Sequence, residues 1–419
     1  MKILDNLKKY NLQENVFNLV IFLMPFGIAF ERKMYSNILF PILIILTGIQ
    51  IYKNGFKISF YEKFLGVFLG SIIISLIFTN YPIKDLSDKF MPYIKWLFFP
   101  TIFGQFNIDR KREKIVFLSV VITTLYMYKL GLLDIIKHIK MFSGKEIGYL
   151  DIFKTENLKL LQSYGEGFRL REIFPTLTET ALVLGGTIIA FIMVLIDKST
   201  DIKIKIVLIP IILMGLFQLI LTQSRGMYLA FLIVISLLVI IKVSKKILGV
   251  LIIILLGILA IFRNTPYVQR FKSISGGDEA RMEIYKSAFK IFKSNPVTGI
   301  GFDNFIQATD YYEKASYYQH PHNMVLKMLA EMGVIGFLSY FSMMGAIVYK
   351  LWKTRSKLIC EIMLAVIVLM LIYENFETVI VWKRASEYIF FMLGLSLSGN
   401  YYLLKGAKNK DSNKRKTRV

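Results

Sequence analysis

The chain has one cysteine, Cys360, and three histidines in 419 residues. A single thiol excludes an internal disulfide, and it says nothing about compartment. Acids are scarce as well, 29 against 52 Lys and Arg, which leaves a net charge of +23. In a soluble protein that surplus suggests a nucleic-acid partner. Yet only 19% of the residues are charged, below the roughly 25% of an ordinary soluble domain. Internal repeats are lacking, and so are low-complexity linkers other than the basic C-terminal tail. No small-residue cleavage site follows Phe30, so the first apolar run reads as a membrane span rather than a signal peptide.

What the chain has in excess is hydrocarbon. Apolar residues make up 55% and the mean hydropathy is +0.54. They come in blocks, and a bilayer needs about 20 mostly apolar residues per helical crossing, sometimes nearer 17. That ruler predicts spans at 15–30, 37–52, 64–79, 90–106, 114–133, 176–196, 203–221, 226–242, 246–262, 333–350, 357–373 and 386–404. The expectation is an all-α membrane protein of about a dozen transmembrane helices.

Lys and Arg in short loops mark the cytoplasmic side. Arg110, Lys111, Arg112 and Lys114 lie in 107–114, Lys242, Lys245 and Lys246 in 242–246, and Lys350, Lys353, Arg355 and Lys357 in 350–357. Together with the Lys8–Lys9 terminus, the loops 53–63 and 197–205 and the tail after Leu404, they all fall on one side of the twelve-span count. Both termini are therefore expected in the cytoplasm, and the non-cytoplasmic face receives 134–175, Thr222–Arg225, 263–332 and 374–385. The organisation expected is nine spans in 1–262, a large outer loop in 263–332, three spans in 333–404 and a basic cytoplasmic tail in 405–419. The Lys and Arg surplus is thus explained by the membrane, with no nucleic-acid partner.

Three features of the outer face carry candidate chemistry. Ser224-Arg225-Gly226 joins two spans at the rim, where a guanidinium can grip a lipid phosphate bidentately and a glycine admits a close approach. The same arginine also suits a snorkelling anchor. Arg281 opens a helix with Met282, Tyr285, Phe289 and Phe292 on one face, suited to lie apolar face down in the membrane interface. Asn295-Pro296 ends it, and Gly299 and Gly301 permit a turn whose amides could face an anion. His320-Pro321-His322-Asn323 then runs into an apolar stretch that stops at Gly333, which puts His322 and Asn323 at a helix N-terminus. A neutral imidazole there can accept a proton; a plain capping pair is the alternative. Two histidines two apart, with no acid or thiol nearby in sequence, make a poor metal site. Arg169 and Arg171, before the sixth span, add further positive charge to the same face. Several arginines around a histidine suit transfer from a lipid pyrophosphate: the arginines neutralise the leaving group, and the histidine takes a proton from the incoming hydroxyl.

These segments resemble the O-antigen ligase and polymerase family of bacterial membrane glycosyltransferases. The resemblance rests on Ser224-Arg225-Gly226, on Arg281-Met-Glu-Ile-Tyr285 with Asn295 to Phe305, and above all on His322-Asn323 followed by Leu326, Leu329, Glu331, Gly333 and Gly336. It covers roughly 165–345. Where relatives often read Asn-Pro-Asn, this chain has Phe174-Pro175-Thr176. The resemblance implies a GT-C-like, all-helical enzyme of the bacterial inner membrane, with amphipathic helices in its large periplasmic loop. The implied enzyme is metal-independent and has no cofactor. Its donor is an undecaprenyl-pyrophosphate-linked glycan. Its acceptor is lipid A core in the ligase branch and another lipid-linked glycan in the polymerase branch. By the same resemblance Arg225 and Arg281 hold the pyrophosphate, Arg169 and Arg171 assist, His322 is the base, and Gly226, Asn323, Gly299 and Gly301 support the turns. No single residue separates ligase from polymerase; the overall pattern of the long loop favours the ligase, with the polymerase as the alternative and a protein-glycosylating relative as a third branch. A flippase for lipid-linked sugars is the reading from another class, disfavoured because few ionisable residues fall within the spans.

Overall fold

The computed structural model describes residues 12–79, 95–154, 156–158, 160, 169–170, 173–242, 277–312, 320–379, 382–398 and 402–403. Its helices are α1 (Leu12–Ala29), α2 (Arg32–Asn54, with a π-helical turn at Tyr35–Leu39), α3 (Phe60–Ile77), α4 (Phe99–Gly104), α5 (Arg110–Ser143), α6 (Leu177–Ile196), α7 (Ile202–Thr222) and α8 (Arg225–Lys242). After a gap in the description come α9 (Gly277–Ser294), α10 (Phe305–Tyr312), α11 (Met324–Lys353), α12 (Leu358–Tyr373) and α13 (Lys383–Leu397). Two-residue strands β1 (Lys57–Ile58) and β2 (Tyr402–Leu403) pair antiparallel.

Among the described residues, eight helices are long and apolar enough to cross a membrane, and α12 is a shorter apolar helix. The molecule is an all-α membrane protein. Mid-helix Leu19, Ile45, Val67, Ile73, Leu118 and Leu213 are exposed, large apolar side chains that suit lipid rather than water. Part of the predicted fourth and twelfth spans, the whole ninth (246–262) and the tail lie outside the described residues. The fifth span differs from its expected 114–133. Ile135 and Ile139 continue the buried stripe past the apolar block, so α5 runs on to Ser143 and ends at Gly144 in the left-handed region.

Helix ends sort into two groups. At one end Arg112 of α5 donates to Asn18 of α1 (3.2 Å), Lys53 of α2 to Gln13 (2.6 Å), and Lys242 of α8 pairs with Glu361 of α12 (2.6 Å). The β1–β2 ladder lies there too, with the Lys57 amide on Gln105 Oε1 (2.8 Å). This end gathers the Lys- and Arg-rich loops. At the other end Arg32 of α2 meets Glu387 of α13 (3.1 Å), and the Arg384 amide donates to Glu179 of α6 (2.9 Å). All the described candidate site residues belong to this second end. The chain leaves the basic end at Lys242 and is next described at the opposite end, at Gly277.

The large loop docks on α11 through a backbone interlock. Gly333 has φ +63° and breaks α11 into a short motif-bearing half and a spanning half. The amides of Ile300 and Gly301 donate to the carbonyls of Ala330 (3.1 Å) and Glu331 (2.8 Å), and the Val334 amide to Pro296 O (2.9 Å). A Cβ at Gly299 would collide with the Glu331 backbone and one at Gly333 with that of Val297. Two glycines face each other here because two backbones touch. Glu331 then accepts the amides of Asp303 (2.9 Å) and Phe305 (3.4 Å), capping α10, while the buried Lys327 ammonium lies 2.6 Å from Glu331 and 3.5 Å from Asp303.

A satellite core of Ile284, Ala288, Ile291, Ile300, Phe305 and Ala308 seals this assembly against Ala330. The buried face of α9 is therefore Ile284–Ala288–Ile291. The stripe read from sequence faces the other way: Met282 and Phe289 are exposed, and Lys293 lies over the Phe289 ring (4.8 Å).

Lys327→Met strands the Glu331 charge in a buried site and should cost about 3–5 kcal/mol. Thermal unfolding of the purified protein in detergent checks this, and Lys327→Met with Glu331→Gln, which removes the charge and keeps an acceptor for the Asp303 and Phe305 amides, should recover most of the loss. An unchanged midpoint in the single variant would contradict the buried ion pair.

Candidate functional site

The site is assembled on the last residue of α12 and the turn that follows it, Tyr373-Glu374-Asn375-Phe376-Glu377. Asn323 caps α11, its Oδ1 accepting the Leu326 amide (3.1 Å), and its Nδ2 donates to Asn375 O (3.1 Å). The Met324 amide donates to Glu374 O (2.8 Å). The loop before α11 is thereby stitched to the turn after α12, and His322 is held between them at φ +49°. α11 begins after Asn323, so His322 immediately precedes the cap and Pro321 lies outside the first helical turn, where sequence had put it.

His322 Nδ1 lies 2.8 Å from Glu377 Oε2. Arg281, in the second turn of α9, reaches Glu377 Oε1 at 3.6 Å, an ion pair longer than a hydrogen bond. One carboxylate thus gathers two of the residues singled out in sequence. Its side chain is 12% exposed and that of His322 21%, so the pair is largely withdrawn from water and their attraction is weakly screened. Tyr373 lies within electrostatic range of both Glu377 and Arg281.

Arg225 joins the same turn through its neighbours. Ser224 Oγ lies 3.1 Å from the Tyr373 hydroxyl. A Cβ on Gly226 would come within 2.5 Å of Phe376 Cβ. The close approach that Gly226 permits is therefore to Phe376. Arg225 itself is half-buried at the start of α8. Arg169 is brought alongside by backbone pairing, the Leu170 amide donating to Leu221 O (3.0 Å) at the end of α7. Arg171 lies outside the described residues. Gly299 and Gly301 are not at this turn; their amides donate to Asn295 O (3.0 Å) and Glu331 O (2.8 Å) within the interlock. The anion that this loop's amides meet is Glu331.

Glu377 was missed in sequence because its partners are 55 and 96 residues away, and no spacing rule joins them. The signal available was the pair Glu374 and Glu377 directly after an apolar span, where carboxylates are costly unless partnered. Beside the dyad, the His320 ring packs edge-on to Trp382 (centroids 5.3 Å apart) and 5.1 Å from that of His322. Burial, then the Lys327 charge and the His322 ring, push the His320 imidazole down to about 3. It is neutral at neutral pH. Among the described residues no group of three or more His, Cys, Asp or Glu side chains is placed to hold a metal ion.

The unfolded chain binds the His320 proton below about pH 6.5 while the folded one does not until about 3. Stability should therefore fall as pH drops through this window, by about 2 kcal/mol between pH 6.5 and 5. Unfolding midpoints at the two pH values check this: His320→Gln should show a smaller difference than the native protein, and an equal difference would count against a buried neutral imidazole.

No curated protein matches the chain. Residues 210–341 match the family model described as O-Antigen ligase, a stretch holding Arg225, Arg281 and His322 but neither Arg169 nor Glu377. The match lies within 165–345, the stretch that carries the motif resemblance, and agrees with it.

Proposed function

We propose that this protein is an O-antigen ligase-like glycosyltransferase. It moves a glycan from undecaprenyl pyrophosphate to a sugar hydroxyl of lipid A core on the periplasmic face of the bacterial inner membrane. The observation that carries the reading is the convergence of Arg281, His322 and the Arg225 turn on one segment, Tyr373–Glu377. The grouping of basic loops at the opposite helix ends supports a non-cytoplasmic site.

In the reaction, the acceptor hydroxyl oxygen attacks the anomeric carbon of the donor sugar. The bond from that carbon to the pyrophosphate oxygen breaks, and undecaprenyl pyrophosphate leaves with the bonding pair. The hydroxyl proton passes to the His322 imidazole. Arg225 and Arg281, with Arg169 beside them and Arg171 following it in sequence, hold the phosphates and stabilise the charge that grows on the leaving group, a task that needs neither metal nor cofactor. Arginine suits it because its planar fork binds two phosphate oxygens at once and stays charged at any physiological pH.

Purified protein given an undecaprenyl-pyrophosphate glycan and lipid A core, in the presence of a chelator, tests the reading. Glycosylated core should form. Arg225→Ala or Arg281→Ala should lower the rate about 10²–10³-fold, Arg281→Lys should recover only part of that, and His322→Ala should cost about 10²–10⁴-fold. Full transfer by His322→Ala would remove the base from the scheme. Longer lipid-linked chains in place of capped core would make the enzyme a polymerase. Absence of product with any acceptor, together with movement of labelled donor across proteoliposomes, would replace the enzyme by a flippase.

A further inference from the structure

We propose that Glu377 is the positioning residue of this site, holding His322 with Nδ1 protonated so that Nε2 is the basic nitrogen presented to the acceptor hydroxyl. The inference rests on the glycosyl-transfer reading above and adds to it a residue that lies outside both the motifs and the matched segment. An ionised carboxylate only accepts hydrogen bonds, so the 2.8 Å contact from Glu377 Oε2 assigns the proton to Nδ1. A neutral imidazole carries a single N–H, and its basic lone pair is then on Nε2. Orientation of an imidazole by a carboxylate partner fixes both tautomer and ring direction.

Backbone geometry makes the arrangement rigid. Asn323 Nδ2 on Asn375 O and the Met324 amide on Glu374 O tie the His322 loop to the Glu377 turn on either side of the dyad. The two carboxylate oxygens are divided, Oε2 on His322 and Oε1 facing Arg281 at 3.6 Å. A carboxylate serving only to anchor α9 would face Arg281 alone.

Two measurements on the full-length protein test the proposal. The first is the transfer assay as a double-mutant cycle, with the folded state of each variant checked by its unfolding midpoint. Glu377→Gln keeps size and an acceptor but loses charge; it should lower kcat about 10²-fold with acceptor KM within about threefold, and Glu377→Asp should recover about tenfold. In a His322→Ala background the same Gln change should cost less than about threefold, because residues acting as a unit are not additive. A full-sized loss in that background, or an unchanged kcat in the single variant, would overturn the positioning role while leaving the transferase reading intact. Full activity of His322→Ala would instead overturn the base assignment beneath it.

The second measurement needs no Glu377 variant. The chain has three histidines, so ¹⁵N-histidine solid-state NMR of the protein in lipid resolves them, His322 being identified by its loss in His322→Ala. The Nδ1–H tautomer is expected, and a neutral Nε2–H tautomer would overturn the proposal.

Discussion

The site depends on the five-residue segment that ends α12 and turns away from it, Tyr373–Glu377, and within it on the carboxylate of Glu377. Arg281 arrives on α9, His322 in the loop before α11 and the Arg225 turn at the start of α8. Arginines crowded at a membrane rim repel one another unless a negative charge lies among them. Glu377 supplies that charge, with His322 at 2.8 Å and Arg281 at 3.6 Å. The backbone of the same turn fixes the start of α11, and the Phe376 side chain fixes how closely α8 approaches. Removing this turn would leave each motif attached to its own helix and the site unassembled.

Several of the residues that carry the family resemblance act one layer below. Glu331 and Gly333 join with Gly299 and Gly301 to press the 295–305 loop against the broken helix α11, and the buried Lys327 offsets the Glu331 charge. A loop packed backbone to backbone cannot drift, because either glycine with a side chain would force the strands apart. This rigidity passes to α9, whose Ile284–Ala288–Ile291 face is sealed into the satellite core and whose second turn bears Arg281. The outward Met282 and Phe289 are then left at the surface of a helix already fixed by its other face.

Much of this architecture was legible from composition and charge. Apolar blocks of the right length predicted the eight long described helices, since the bilayer imposes a length and an apolarity that ordinary cores do not. The basic loops Arg110–Lys114, Lys242 and Lys350–Lys353 sort with one set of helix ends, as counting from sequence required. The end of α5 was misread because its buried stripe continues through Ile135 and Ile139 beyond the apolar block. The face of α9 that meets protein, Ile284–Ala288–Ile291, lies opposite the stripe read for the membrane interface, and periodicity alone does not say which face meets protein.

The sequence by itself determined the fold class, the apolar blocks that become the long helices, the residues worth watching at Arg225, Arg281 and His322, and the resemblance with which the match at 210–341 agrees. These follow from local rules: hydrophobic length, loop charge, and motifs read over a few residues. Only the tertiary structure decided that Arg281 and His322 share one acid and that the acid is Glu377. It also decided that Gly299 and Gly301 serve the packing of a loop, and that Gly226 makes room for Phe376. Those facts depend on contacts between residues scores of positions apart, which form when helices pack and leave no periodic trace along the chain.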